Sequence, residues 1–278
     1  MFVNIKPLSL VLGAEVSGID LSMILTDKQL AEIESAQDEF EVLFFRDQDL
    51  TPAAQQALAE QFGELLEYPY VEGYKEAPYL VQIAKMEEDK VNFGGLWHTD
   101  STYLERPPAL TILYAREIPP LGGDTLFASM TRAYETLSPG MQKLLGGLTA
   151  VFSAEHGGGY AVREFRQNKN LDQAPEQAVH PVIRRHPRSG KLALFVNAAH
   201  TVRFSDMTEE ESAPILEYLH HHQQRPEFSY RFQWQVGSLA MWDNRTTHHN
   251  PLNDYHGYKR VMSRVMTRGE VPVGVGQK

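Results

Sequence analysis

Cysteine is absent from the 278-residue chain, which removes disulfides, thiolate metal ligands and cysteine nucleophiles together. Long apolar runs are missing as well: no segment approaches the roughly 18 residues that cross a bilayer. The amino-terminal stretch MFVNIKPLSLVLGAEVSGIDL lacks the basic start, long apolar run and small-residue cleavage site of a signal peptide. The expectation is a cytoplasmic protein with no membrane partner. Basic charge is scarce, with 26 Lys and Arg against 36 Asp and Glu and a formal net charge of -10. Nucleic acid is therefore excluded as the expected partner, because phosphate binding needs a basic footprint. Linker-like tracts, internal repeats and low-complexity segments are also lacking, so residues 1–278 read as one domain.

What is present is an ordinary globular composition, 42% hydrophobic and 22% charged, with enough chain to bury a large core. Thr26 and Gln29 form a capping-box pattern ahead of Leu30, Ile33 and Phe40, and Thr51-Pro52 opens a second helix that stops at Gly63. Between them 41–45, EVLFF, suits a buried strand. A third helix is expected over 131–145. A fourth runs from Thr208 through EYLHHH, with Pro214 kinking it or delaying its start. Strands are expected at 110–116, in HPVIRRH and KLALFVN around the turn PRSG, and at 228–236, 239–242 and 259–268. Few βαβ alternations occur, which points to a mainly β, double-sheet antiparallel architecture with flanking helices. Residues 157–178 have no clean periodicity and read as a long loop, either a lid over a site or a plain surface excursion.

The chemistry starts at WHTDSTYLERPP, residues 97–108. In extended chain His98 and Asp100 point one way and Trp97 and Thr99 the other, the geometry of a two-ligand metal clip. A third ligand must come from elsewhere. Three consecutive helical residues, His220, His221 and His222, point about 100° apart and cannot all close on one ion; they read as a solvated helix end. His248 and His249 face opposite sides of extended chain, so at most one is a ligand. His156, His180, His186, His200 and His256 read as surface or satisfied core residues.

Two histidines and one carboxylate on one face of an iron leave positions for oxygen and an organic co-substrate, although zinc hydrolases use the same ligand types. An oxoacid co-substrate would need a buried cationic clamp, and KRVMSRVMTR supplies one. Arg260 and Arg264 share a strand face about 13 Å apart at roughly 3.3 Å per residue, far enough to serve two different anions. The alternatives are a solvent-facing edge strand or internal pairing with Asp or Glu.

LGAEVSGIDL, TPAAQQALAEQFGEL, WHTDSTYLERPP, GGDTLFASM and WDNRTTHHNPLNDYHGYKRVMSR occur in that order. As a set they resemble the taurine dioxygenase and phenoxyalkanoate-herbicide dioxygenase group of Fe(II)/2-oxoglutarate-dependent oxygenases. The resemblance implies a double-stranded β-helix, or jelly-roll, core. It implies His98, Asp100 and His249 as ligands of Fe(II), and Arg260 with Thr125 as the anchor for the far carboxylate of 2-oxoglutarate. It also implies Arg264 as the anchor for a substrate sulfonate or carboxylate. Tyr68 and Gly94 stand where the taurine enzymes carry a histidine and an asparagine that help read the substrate. The implied reaction takes O2, 2-oxoglutarate and a small anionic organic substrate, a sulfonate, alkyl sulfate or aryloxyalkanoate. It hydroxylates carbon next to a heteroatom and yields succinate and CO2. With a carboxylate as third ligand, hydroxylation rather than halogenation is expected. A homo-oligomer is expected. The other readings open on these residues are taurine dioxygenase proper, a zinc hydrolase and a non-catalytic anion-binding jelly roll.

Overall fold

The computed structural model describes residues 3–156 and 176–276. Thr26 accepts a hydrogen bond from the Gln29 amide while the Gln29 side chain accepts from the Thr26 amide, so the first helix, Asp27–Phe40, starts at its capping box. The second, Pro52–Glu60, starts at Thr51, with proline at a position that has no amide bond to lose. Both lie on the outer face of a nine-stranded sheet. Its main order is Asn4–Pro7, Ala14–Ser17, Val42–Phe45, Leu239–Asp243, Pro108–Glu117, Arg260–Arg268, Ala77–Lys85, Gly73–Tyr74, and Leu65–Leu66 also pairs with Arg260–Arg268.

The alternation of side chains across these strands feeds two cores. Leu43, Phe45, Ile112, Tyr114, Met241 and Val265 pack outward against Ile33, Ala36, Leu58 and Ala59 of the helices. Val42, Phe44, Leu113, Ala240, Trp242 and Met262 pack inward against Phe127 and Phe232. The latter two belong to a smaller antiparallel sheet, Ser229–Phe232, Thr125–Ser129, Thr247–Pro251. Phe44 stacks on Phe232 at 4.0 Å between ring centroids and meets Phe127 edge-on at 5.5 Å. Two facing sheets, antiparallel but for the parallel pair Ala14–Ser17 and Val42–Phe45, close over one apolar layer and form the expected jelly roll. Burial on both faces also explains why EVLFF and LTILYAR carry no polar alternation.

Several expectations need correcting. Instead of one helix over 131–145 there are two, Met130–Glu135 and Pro139–Leu145, because Ser138 caps a new start at Pro139. Pro214 does not delay its helix. The Thr208/Glu211 capping box starts Glu209–Gln223 directly, and Pro214 sits inside it. The strand expected over 228–236 is a 3-10 turn, Pro226–Phe228, followed by Ser229–Phe232. Phe232 pairs with Thr125, the first residue of its partner strand, so no ladder remains for the residues beyond it. HPVIRRH and KLALFVN do form a hairpin, Ile183–Arg185 against Leu192–Leu194. Of the loop expected at 157–178, residues 157–175 lie outside the described residues, and a strand already begins at Gln177. Among the described residues no helix is long and apolar enough to cross a membrane.

Candidate active site

His98 and His249 meet as opposite residues of an isolated antiparallel bridge. His98 N–H donates to the His249 carbonyl at 3.0 Å, and His249 N–H to the His98 carbonyl at 2.8 Å. Opposite residues in an antiparallel pair share a face, and the two rings lie 4.2 Å apart. The chain then turns through Asp100 and Ser101, whose φ is 46°, rather than continuing as a strand. The expected alternation survives the turn: Trp97 packs on the apolar core and the Thr99 hydroxyl donates to the Asn244 carbonyl at 2.8 Å, while His98 and Asp100 face inward. One ligand atom each from His98, Asp100 and His249 lies within 4.8 Å of the others, and all three residues are buried.

Each ligand is oriented. His98 Nδ1 donates to the Leu96 carbonyl at 2.6 Å, which leaves Nε2 as its free lone pair, 3.8 Å from Asp100 Oδ1. Thr111 donates to Asp100 Oδ2 at 2.7 Å, and Arg264 Nη1 donates to Oδ1 at 3.1 Å. Burial would raise the Asp100 pKa, but Arg264, His249, His98 and the Thr111 hydroxyl outweigh it and bring it down to about 2. Burial lowers His98 and drives His249 well below the ordinary histidine range. At neutral pH the site therefore offers one carboxylate and two neutral imidazoles, the protonation state in which a cation is bound.

His248 takes the opposite face from His249, but it does not reach solvent: it is buried, with Nε2 unpartnered among the described residues. His222 departs from expectation too. It is buried, with Nε2 donating to the Ala133 carbonyl at 2.8 Å rather than sitting in water. His180 and His186 are satisfied core residues, bonded to the Leu104 carbonyl and to Asp243.

Arg260–Arg268 is a central strand, flanked on both sides, so both arginines are interior. Arg260 is 6% exposed, and its Nε and Nη2 have no hydrogen-bond partner among the described residues. Arg264 is 4% exposed and pairs with Asp100, yet its Nε and Nη2 are equally orphaned. Unpaired buried guanidinium nitrogens are costly, and these are donors free to take an anion. Thr125 lies in the facing sheet, its hydroxyl accepting from Trp234 Nε1 at 3.0 Å. Arg260, Arg264, Thr125, His98, His249 and Gly94 line one cavity. Tyr68 is buried with its ring 4.6 Å beneath the Arg264 guanidinium, and it opens onto an adjoining cleft that also reaches Arg264. Gly94 has φ +73°, and a Cβ there would stand 3.0 Å from His98 Cε1, so a side chain would have to push the ligand ring aside.

Sequence reasoning missed the supports. Asn244 Nδ2 donates to Thr111 Oγ1 at 2.8 Å, and its Oδ1 accepts from Trp242 Nε1 at 3.0 Å. Together they fix the hydroxyl that holds Asp100. The signal was present in WDNR, whose first and third residues are these two.

A jelly roll with a buried pair of histidines and one carboxylate, beside two unsatisfied guanidiniums, defines the class of mononuclear non-haem iron oxygenases. Residues 4–266 match the profile described as taurine catabolism dioxygenase TauD, TfdA family, and the chain belongs to that family. It is 33% identical over 282 aligned residues to an alpha-ketoglutarate-dependent sulfate ester dioxygenase of Pseudomonas putida, covering 98% of this chain and 91% of that protein. It is 32% identical to an alpha-ketoglutarate-dependent 2,4-dichlorophenoxyacetate dioxygenase of Cupriavidus pinatubonensis, covering 98% and 100%. The crystal structure of a taurine dioxygenase from Burkholderia xenovorans superposes with a TM-score of 0.85 at 33% identity, covering 99% of this chain and 94% of that one. The protein is thus a 2-oxoglutarate-dependent non-haem iron dioxygenase. The zinc-hydrolase and non-catalytic readings fall away.

Proposed function

We propose that the protein hydroxylates a small organic anion, a sulfonate, alkyl sulfate or aryloxyalkanoate, at the carbon next to its heteroatom. 2-Oxoglutarate and O2 are consumed, and succinate and CO2 are formed. The observation that carries this reading is the pair of interior arginines, each with two orphaned nitrogens, flanking the ligand trio. One guanidinium suits the co-substrate and the other the substrate.

His98, Asp100 and His249 would hold Fe(II), which when bound supplies the activation of O2. The protein's own work is placement. Arg260 and the Thr125 hydroxyl hold the far carboxylate of 2-oxoglutarate and aim its oxoacid end at the trio. Arg264 presents Nε and Nη2 to the substrate anion. Tyr68 and Phe93, with ring centres 4.6 and 5.4 Å from the Arg264 guanidinium, form its apolar walls. Enclosing the site this way keeps water from competing for the arginines and positions one C–H bond for reaction. Tyr68 and Gly94 replace the histidine and the asparagine with which the taurine enzymes help read their substrate, which favours sulfate esters and aryloxyalkanoates over taurine. We further infer one catalytic domain across the chain, action in the cytoplasm without nucleic-acid or membrane partners, and a homo-oligomeric state. Exposed Leu10, Met23 and Ile24 support the last of these, and light scattering on the purified protein tests it.

The test of the activity is succinate release in aerobic buffer with Fe(II) and 2-oxoglutarate over a panel of sulfonates, alkyl sulfates and aryloxyalkanoates. At least one panel member should stimulate succinate formation above the substrate-free rate. If none does, the substrate reading is lost. Arg264→Ala should raise the KM for the active substrate by about tenfold or more while 2-oxoglutarate binding stays nearly intact.

A further inference from the structure

We propose that Lys85 is a second cation of the co-substrate pocket, acting with Arg260 on the far carboxylate of 2-oxoglutarate. Lys85 ends the strand Ala77–Lys85 and stands directly opposite Arg260 in antiparallel register. Opposite residues on neighbouring strands put their side chains on one face with Cβ atoms about 4.5–5.5 Å apart. Lys85 is 2% exposed, and its Nζ has no hydrogen-bond partner among the described residues. Lysine is almost never buried to this degree unless it is paired. What Nζ does meet is the ring face of Tyr255, 4.7 Å from the centroid, and the same tyrosine borders Arg260. A cation over an aromatic face recovers only part of the cost of leaving water.

Two like charges are thus held side by side in the interior, between them three nitrogens without partners. Of the acids that bear on Arg260 and Tyr255, Asp124 is paired with Arg231 at 2.6 Å, Asp254 also meets Arg231 at 3.4 Å, and Asp89 accepts from the Met86 amide at 2.8 Å. An arrangement of this kind is balanced by a bound anion. Register decides which one: Arg264 lies opposite Val81, four residues along the strand from the Arg260–Lys85 pair, so Lys85 stands beside Arg260, just behind the residues that line the cavity, and away from Arg264. Arg260 supplies a planar fork that fixes orientation, and Lys85 adds charge without imposing a second geometry.

This inference rests on the co-substrate reading given above, and the experiment separates the two. The Mn(II)-loaded protein is titrated calorimetrically with 2-oxoglutarate and with 2-oxopentanoate, which lacks the far carboxylate. Wild type should prefer the dicarboxylate. Lys85→Met should weaken 2-oxoglutarate binding by about 10- to 100-fold and leave 2-oxopentanoate unchanged, and Lys85→Arg should recover part of the loss. Equal weakening of both acids would assign Lys85 a structural role, and no weakening of either would place it away from the anion; each overturns the proposal. Arg260→Met is the control. If it leaves the preference for the dicarboxylate intact, the co-substrate reading of the pocket fails, whatever Lys85 does.

Discussion

Asp100 has both carboxylate oxygens engaged before any metal arrives, Oδ2 by Thr111 and Oδ1 by Arg264. The Thr111 bond is the one a metal need not displace, and Asn244 holds it in place. Removing it frees the carboxylate to rotate. Thr111→Val should lower metal affinity by about 10- to 100-fold with little loss of stability, as outer-sphere losses do; Mn(II) titration of the apoprotein measures it. A variant that binds metal as wild type would show that the turn at Ser101 alone orients Asp100. The clip itself was legible in the sequence, because His98 and Asp100 are two apart and the alternation needs only local geometry. The choice of His249 over His248 was not legible from spacing. Both are buried and both are unpartnered at one ring nitrogen; only pairing with His98 across the bridge distinguishes them, and that contact is set by the closure of the fold.

At the scale of elements, local chemistry fixed where helices begin and tertiary pairing fixed where strands end. The capping boxes at Thr26 and Thr208 are self-contained within four residues, and both helices start where those patterns put them. Pro214 misled because a proline well inside a helix removes one bond, whereas the cap and the packing of Leu216 and Leu219 secure the rest. Thr208→Ala should cost about 1 kcal/mol and lower the melting temperature by about 2–4 °C, followed by circular dichroism. The stretch 228–236 kept its alternation but stopped pairing at Phe232, a limit that lies in the partner strand. KRVMSRVMTR was ambiguous for a related reason: a strand buried on both faces mixes charge and methionine, and its arginines are intelligible only beside the trio they flank.

At the scale of the whole molecule, Glu41 carries a further titration. Glu41, at the end of the first helix with φ 65°, accepts a hydrogen bond from Thr131, and its carbonyl accepts from Asp243 N–H at 3.0 Å. It joins helix, large sheet and small sheet, and burial raises its pKa to about 7 against 4.5 in the open chain. For a raised acid the sign is clear: the stability it allows is whole below about pH 4.5 and is lost as pH rises through 7, by roughly 3 kcal/mol in all. Asp100 acts in the opposite direction, its contribution lost as pH falls from 3.8 towards about 2. Buried histidines such as His180, His200 and His220, whose pKa burial lowers, act with the opposite sign and add stability as pH rises towards 6.5, so Glu41 is read by difference: the melting temperature of the Glu41→Gln apoprotein should gain on that of wild type between pH 5 and 8. An identical slope in the variant would refute the assignment.

The two main-chain bonds between His98 and His249 have a consequence for biosynthesis. They join segments far apart in the chain, so a ribosome must release the polypeptide past His249 before the second imidazole can reach the first. The full trio cannot assemble on a nascent fragment that ends short of His249. Uptake of iron would follow the last closure of the two sheets, and the metalated fraction of a preparation would then count the molecules that completed folding.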